Sequence, residues 1–269
     1  MSLRMALHNL TGEYGVKKKI RHSLVAALFL VSAGTQAAMS ATELAQVQAD
    51  AWRVRMGFHM LSIRGDNPED REALKALLAD GRQHLDALAL QATPEQKETV
   101  AQLQASWTAL SKRALDNPLA SLGYADYRAM SEINTTTLAV DSLVNNAEPT
   151  GDDRYQDISE LSVAMQRLAS EYAALAAFPS AGLKTGTGLP SMDFAAQALA
   201  IDEILDELQG KYAGDEKARE VLAFIDQRWA FVRKSIPGMD DPNTQKIPYL
   251  FYRYATQMAE HVSELLAQP

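Results

Sequence analysis

The chain has 269 residues, of which 47% are hydrophobic and 22% charged, so it can fill one large core or two ordinary ones. It carries no cysteine, which excludes disulfides, thiolate metal sites and covalently attached c-type haem. Its formal charge of -8 argues against nucleic acid or anionic lipid as a partner, because both would be repelled.

Residues 1–37 have the layout of a secretory signal peptide. Lys17, Lys18, Lys19 and Arg21 precede an apolar run from Ser23 to Gly34, and small residues surround Ala37. Val16 is an alternative start, since the residues before it are unusually polar. An uncleaved inner-membrane anchor is the competing reading, but the run is short for a hydrocarbon core of about 30 Å. Removal of residues 1–37 takes five of the 26 basic and one of the 34 acidic side chains, leaving -12. A periplasmic location follows as an expectation.

Beyond the signal, apolar residues recur at helical spacing almost throughout. Leu44, Val47, Ala51, Val54, Phe58 and Leu61 predict a first helix, stopped by the turn Gly65-Asp-Asn-Pro68. Leu74, Leu77, Leu78, Leu85 and Leu88 predict a second over about 69–90. Thr93-Pro-Glu-Gln96 reads as a capping box opening a third, which runs to about Leu115 on Val100, Leu103, Trp107 and Leu110. A fourth, about 124–146, is predicted to bury Tyr127, Met130, Ile133, Thr137, Val140 and Val144.

The polar run 148–153 is the predicted boundary between halves. A fifth helix follows over about 155–177 on Ile158, Leu161, Met165, Leu168, Tyr172 and Leu175. The Gly- and Pro-rich stretch 178–192 is the longest predicted connection, of a length that often marks a binding element. Asp193 is predicted to cap a sixth helix bearing Phe194, Leu199, Ile201, Leu205 and Leu208. A seventh carries Trp229, and an eighth, opened by Pro248, carries Leu250, Tyr254, Met258, Val262 and Leu265.

The third and seventh helices are copies. At a constant offset of 122, Val100, Leu103, Trp107, Leu110 and Lys112 fall on Leu222, Ile225, Trp229, Val232 and Lys234. The predicted architecture is therefore all-α: two tandem antiparallel four-helix bundles related by duplication, at 41–147 and 153–267. Both tryptophans are predicted core anchors.

Catalytic patterns are missing. There is no Glu-x-x-His pair, no His-Glu-x-x-His, no phosphate loop and no Gly-x-Ser-x-Gly. His59, His84 and His261 lie on separate predicted helices without metal spacing, so groove or surface positions are expected for them. No enzyme, metal or cofactor is expected, and a non-covalent haem or metal bundle is the least favoured alternative.

Two stretches remain, Trp52-Arg-Val-Arg-Met56 and Ala164-Met-Gln-Arg-Leu168. The first half resembles a degenerate PilJ-type sensor module of type IV pilus methyl-accepting chemotaxis transducers, whose motif reads Asn-x-Ala-Gly-Arg-x-Arg-Met-Leu-Ser-Gln-Arg. Ala51, Arg53, Arg55 and Met56 match it, while Ala49, Trp52, Val54, Gly57, Phe58, His59 and Met60 depart. In the second half Gln166, Arg167 and Ser170 match, Leu168 is a conservative change, and Leu161, Ala164, Met165, Ala169, Glu171 and Tyr172 depart. The resemblance is also to the related periplasmic domain of nitrate and nitrite sensor kinases. It implies that Arg55 and Arg167 face one another and hold one small anion, with Arg53 and Trp52 beside them.

The competing reading is that both arginines pair with acidic neighbours. A residue as bulky as Trp52 in place of the motif's glycine would crowd the axis.

The functional expectation is an exported, sensor-like binding module for a small anion or other small molecule, signalling to a membrane-bound or envelope partner. The alternative is an adaptor whose helical faces bind another envelope protein. A ligand predicts a polar pocket at Arg55 or Arg167, whereas an adaptor predicts an exposed apolar patch.

Overall fold

A computed structural model describes residues 39–122, 126–150, 154–177, 192–239, 241 and 243–267. The expected signal segment, nearly all of the 178–192 connection and residues 151–153 of the expected boundary lie outside this set. Eight long helices account for most of it: α1 (Ala41–Arg64), α2 (Pro68–Gln91), α3 (Lys97–Leu115), α4 (Tyr127–Asn145), α5 (Gln156–Ala177), α6 (Phe194–Lys211), α7 (Glu216–Val232) and α8 (Pro248–Leu266). A five-residue helical turn, Pro118–Leu122, joins α3 to α4. There is no strand among the described residues, and none of their helices is long and apolar enough to cross a membrane.

Side chains that satisfy otherwise orphaned backbone N–H groups set the helix starts. Ser40 and Glu43 form a reciprocal capping box on α1. Asn67 caps α2 ahead of Pro68, and Asp126, Asp193 and Asp215 cap α4, α6 and α7. The box expected at Thr93 forms only by half. The Thr93 N–H donates to the Gln96 side chain, but Gln96 makes no side-chain cap and α3 begins at Lys97. At the end of α1 the backbone turns left-handed through Gly65 at φ 70°, the turn expected there.

Residues 38–269 form one compact unit containing two apolar cores. One gathers side chains of α1 to α4, with Trp107 at 1% exposure; the other gathers α5 to α8, with Trp229 at 4%. Within each half every helix packs on its chain neighbour, and the fourth closes back on the first. That is the connectivity of a four-helix bundle.

The repeated spacing runs further than one tryptophan helix. Buried Leu74, Leu78, Gly81, Leu85 and Leu88 of α2 recur 120 positions later as buried Phe194, Ala198, Ile201, Leu205 and Leu208 of α6. In α3 and α7 the buried set repeats at 122, from Val100 and Leu222 to Leu110 and Val232. The offset changes by only two residues between these helix pairs, whereas the first connection differs widely between the halves, residues 65–67 after α1 against 178–193 after α5.

The most extensive helix pair joins the halves: α1 packs along α5. Ala49 and Arg53 share a crevice with Ser159 and Ser162, while Arg55, further along α1, meets Ser170 and Glu171, further along α5. Contacts thus advance together and the two helices run parallel. Covered by both halves, α1 buries far more than the expected stripe, including Gln48, Asp50, Trp52, Arg55 and His59.

Some expected core positions are exposed. Tyr127, the first residue of α4, is 59% exposed, and Leu199 on α6 is 56% exposed. Their helices turn those positions outward, and Ala198 and Ile201 face the core instead of Leu199. On α8 the buried stripe begins at Phe251 and Ala255, one residue beyond the expected Leu250 and Tyr254, which are only partly buried. One extra aromatic turn at Tyr249 to Tyr254 hides the phase from a reading of residue types alone.

Candidate functional site

The chemistry-bearing side chains collect along α1 because it is the helix shared by both halves. Trp52 is fully buried. Its indole N–H donates to Asp141 Oδ1 of α4 at 2.9 Å, and Gln48 Nε2 donates to the same oxygen at 2.8 Å.

Arginines from both halves approach the Trp52 ring. Arg55 Cζ lies 5.8 Å and Arg167 Cζ 5.4 Å from its centroid, within cation–π range. The two arginines therefore do meet at one place, with the tryptophan as their common neighbour. They are not in equivalent states.

Arg55 is 2% exposed and its three nitrogens are spoken for. Nε donates to Asn134 Oδ1 at 2.6 Å, Nη1 to Ser170 Oγ at 2.8 Å, and Nη2 to Glu171 Oε2 at 3.3 Å. Burial pushes its guanidinium below the ordinary value, Glu171 pulls it back, and Arg167 adds to the lowering. So Arg55 makes the internal acidic pairing that the competing reading anticipated. Arg167 is half-buried, and its Nε is buried without a hydrogen-bond partner among the described residues. Arg53 spans from Asp50 at 3.0 Å to Glu260 of α8 at 3.7 Å.

From Asp50 the polar network leaves the seam and enters a cleft of about 240 Å³ between α1, α2 and α8. Asp50 is 3% exposed, and its Oδ2 lies 3.0 Å from His84 Nδ1. That bond orients the imidazole so that Nε2 faces Gln46 Nε2 at 3.3 Å, and Gln46 in turn donates to Ser263 Oγ at 2.6 Å. Thr42 and Glu43 complete the polar wall, and Ala87, Leu88, Leu266 and Ala267 the apolar one.

A buried carboxylate orienting a half-exposed histidine in a cleft is a recognised signature of a functional place. Sequence reasoning missed it, because Gln46, Asp50, His84 and Ser263 come from three helices. The one available signal was the polar pair Gln46 and Asp50 at i,i+4 on the first predicted helix.

The two buried-side histidines respond to pH with opposite signs. The Asp50 hydrogen bond, opposed by burial, raises His84 above its ordinary 6.5. The folded state then favours the imidazolium, so this stabilisation is full below pH 6.5 and fades as pH rises through the raised value. His59 is held well below 6.5 by burial first and the Arg55 charge second. The unfolded chain takes a proton that folded His59 refuses, so this group costs stability as pH falls below 6.5. His84→Gln is expected to remove the alkaline-side loss and leave the acid-side loss, measured as urea midpoints over roughly pH 5 to 8.

No group of three or more His, Asp or Glu side chains suited to a metal occurs among the described residues. No protein-family model matches the chain, and neither the curated proteins nor the solved structures yield a match.

Proposed function

We propose that the chain is an exported, sensor-like binding module of the PilJ type that holds a small ligand in the α1–α2–α8 cleft and signals to an envelope partner. The observation that carries this reading is the unbroken polar path from the cleft to the seam: Gln46, His84, Asp50, Arg53 and Glu260. A ligand that favours one arrangement of that path biases how α1 sits against α8 and α5, which is what signalling by packing requires. The Arg55 end of the seam is a weaker ligand place, because an anion there would have to displace Glu171.

The test is thermal unfolding of the purified chain against small anions and metabolites. A ligand at a hundred times its dissociation constant adds about 2.7 kcal/mol, a visible melting shift. Loss of that shift in His84→Gln but not in Arg167→Ala is the expected result. The reverse pattern would move the site to the arginines, and a panel without any shift would remove the ligand reading.

An adaptor role has its own observation. On the α7–α8 face Phe231, 52% exposed, stacks on Tyr254, and Phe224 stacks on His261 beneath Arg228. Co-sedimentation with an envelope fraction that is lost on Phe231→Glu would favour that second reading.

A further inference from the structure

The polar wall of the cleft is mostly a set of donors. His84 Nδ1 is committed to Asp50, which leaves Nε2 as the imidazole's contribution to the cleft. Ser263 Oγ accepts from Gln46, so its O–H proton is free to donate. The carboxylate in this wall is already engaged. Glu43 Oε2 already accepts from the Ser40 N–H and hydroxyl, and Oε1 accepts from Gln91 Nε2 at 2.9 Å. Across from this wall the surface is aliphatic. At about 240 Å³ the cleft is below the usual range for drug-sized ligands, so it suits a solute of a few heavy atoms.

We propose that the cleft binds a short aliphatic monocarboxylate, its oxygens held by His84 Nε2, Gln46 and Ser263 and its tail against Ala87, Leu88 and Leu266. The inference rests on the reading of the cleft as the ligand site and names the ligand's chemical class. A carboxylate has two oxygens and about four acceptor positions, enough for an imidazolium N–H, an amide N–H and a hydroxyl at once.

The charges around His84 favour its imidazolium. Asp50 and Arg53 of α1 pair with each other at 3.0 Å, Asp80 acts from α2 itself, Glu43 is engaged at the start of α1, and α8 lines the cleft with uncharged side chains. Binding then couples to proton uptake, since only the imidazolium donates from Nε2. Without ligand the Gln46 amide nitrogen donates to both Ser263 Oγ and the neutral His84 Nε2, so protonation of the imidazole frees one amide N–H for the carboxylate, and the bond it gives up is the competitor the ligand must beat.

Calorimetry and histidine side-chain NMR on the purified chain test this with acetate, propionate and butyrate against propylamine and propanol. Propionate is expected to bind about tenfold more tightly at pH 6 than at pH 8 and to raise the pH at which His84 titrates. His84→Gln and Ser263→Ala are each expected to weaken binding about tenfold, while Arg167→Ala leaves it unchanged. If His84 titrates identically with and without carboxylates, the amide alone satisfies the imidazolium and the proposal falls. If the amine or alcohol binds instead, the chemical class is wrong and the cleft reading stands. If no probe binds or perturbs His84, both are overturned.

Discussion

Glu171→Ala is expected to lower the unfolding free energy by about 3 kcal/mol, the lower end of the range for stripping one partner from a buried ion pair. The lower end applies because the Glu171 side chain keeps 15% of its surface exposed while that of Arg55 keeps 2%. What the substitution removes is the one opposite charge bonded to Arg55 among the described residues, leaving a guanidinium inside the seam with the Asn134 and Ser170 oxygens and the Trp52 ring. Neutral acceptors satisfy hydrogen bonds but not the charge. The double variant Arg55→Met with Glu171→Ala is therefore expected to recover about 2 kcal/mol of the loss, because an apolar side chain of similar length carries no desolvation penalty. Urea denaturation of the four species gives the coupling directly. A cost below about 1 kcal/mol for Glu171→Ala would mean that solvent or Arg167's neighbourhood already screens Arg55, and that Glu171 is not what stabilises the buried charge.

That seam also marks where residue types and spacing stop being informative. The eight helices and most of their buried stripes follow from apolar periodicity, because each outer helix has one face in a core and one in water. The central helix α1 does not obey that rule. Its six expected apolar positions are all buried, yet so are Asp50, Arg55 and His59, since α5 and α8 cover the side that would otherwise meet solvent.

Arg55 and Arg167 were legible as a pair from the motif-like stretches, and both do reach Trp52. Their asymmetry was not legible, because the partner that distinguishes them, Glu171, sits at a position where the motif it departs from has a neutral residue. The cleft was still less visible. Gln46, His84 and Ser263 are separated by 38 and 217 positions along the chain from Gln46, and only the bundle's closure by α8 against α1 brings them together.

Gly81→Ala is expected to destabilise the protein by about 3 kcal/mol, although alanine is the better helix former by about 1 kcal/mol. A Cβ at position 81 would stand 2.1 Å from Trp107 Cζ2 and 2.4 Å from Cη2, far inside van der Waals contact with a rigid ring. The ring cannot simply slide away, since its indole N–H donates to the Leu78 carbonyl of α2 at 3.2 Å and the side chain is 1% exposed. Displacing it disturbs the core of the first half and strains or breaks that hydrogen bond together. The second half shows the alternative arrangement. Ile201 stands at the position that corresponds to Gly81, and Trp229 donates to Asp202 Oδ1 at 2.6 Å while Arg233 Nε donates to Oδ2 of the same carboxylate.

The diagnostic outcome is a reversal of sign. Trp107→Ala alone is expected to cost about 3–5 kcal/mol. In that background Gly81→Ala should become stabilising by up to about 1 kcal/mol, because its methyl enters the vacated space and the helix propensity gain is no longer opposed. Thermal and urea unfolding of all four variants measures both. If Gly81→Ala is neutral in the presence of Trp107, the ring has room to move, and close packing of glycine against tryptophan is not what sets α2 on α3.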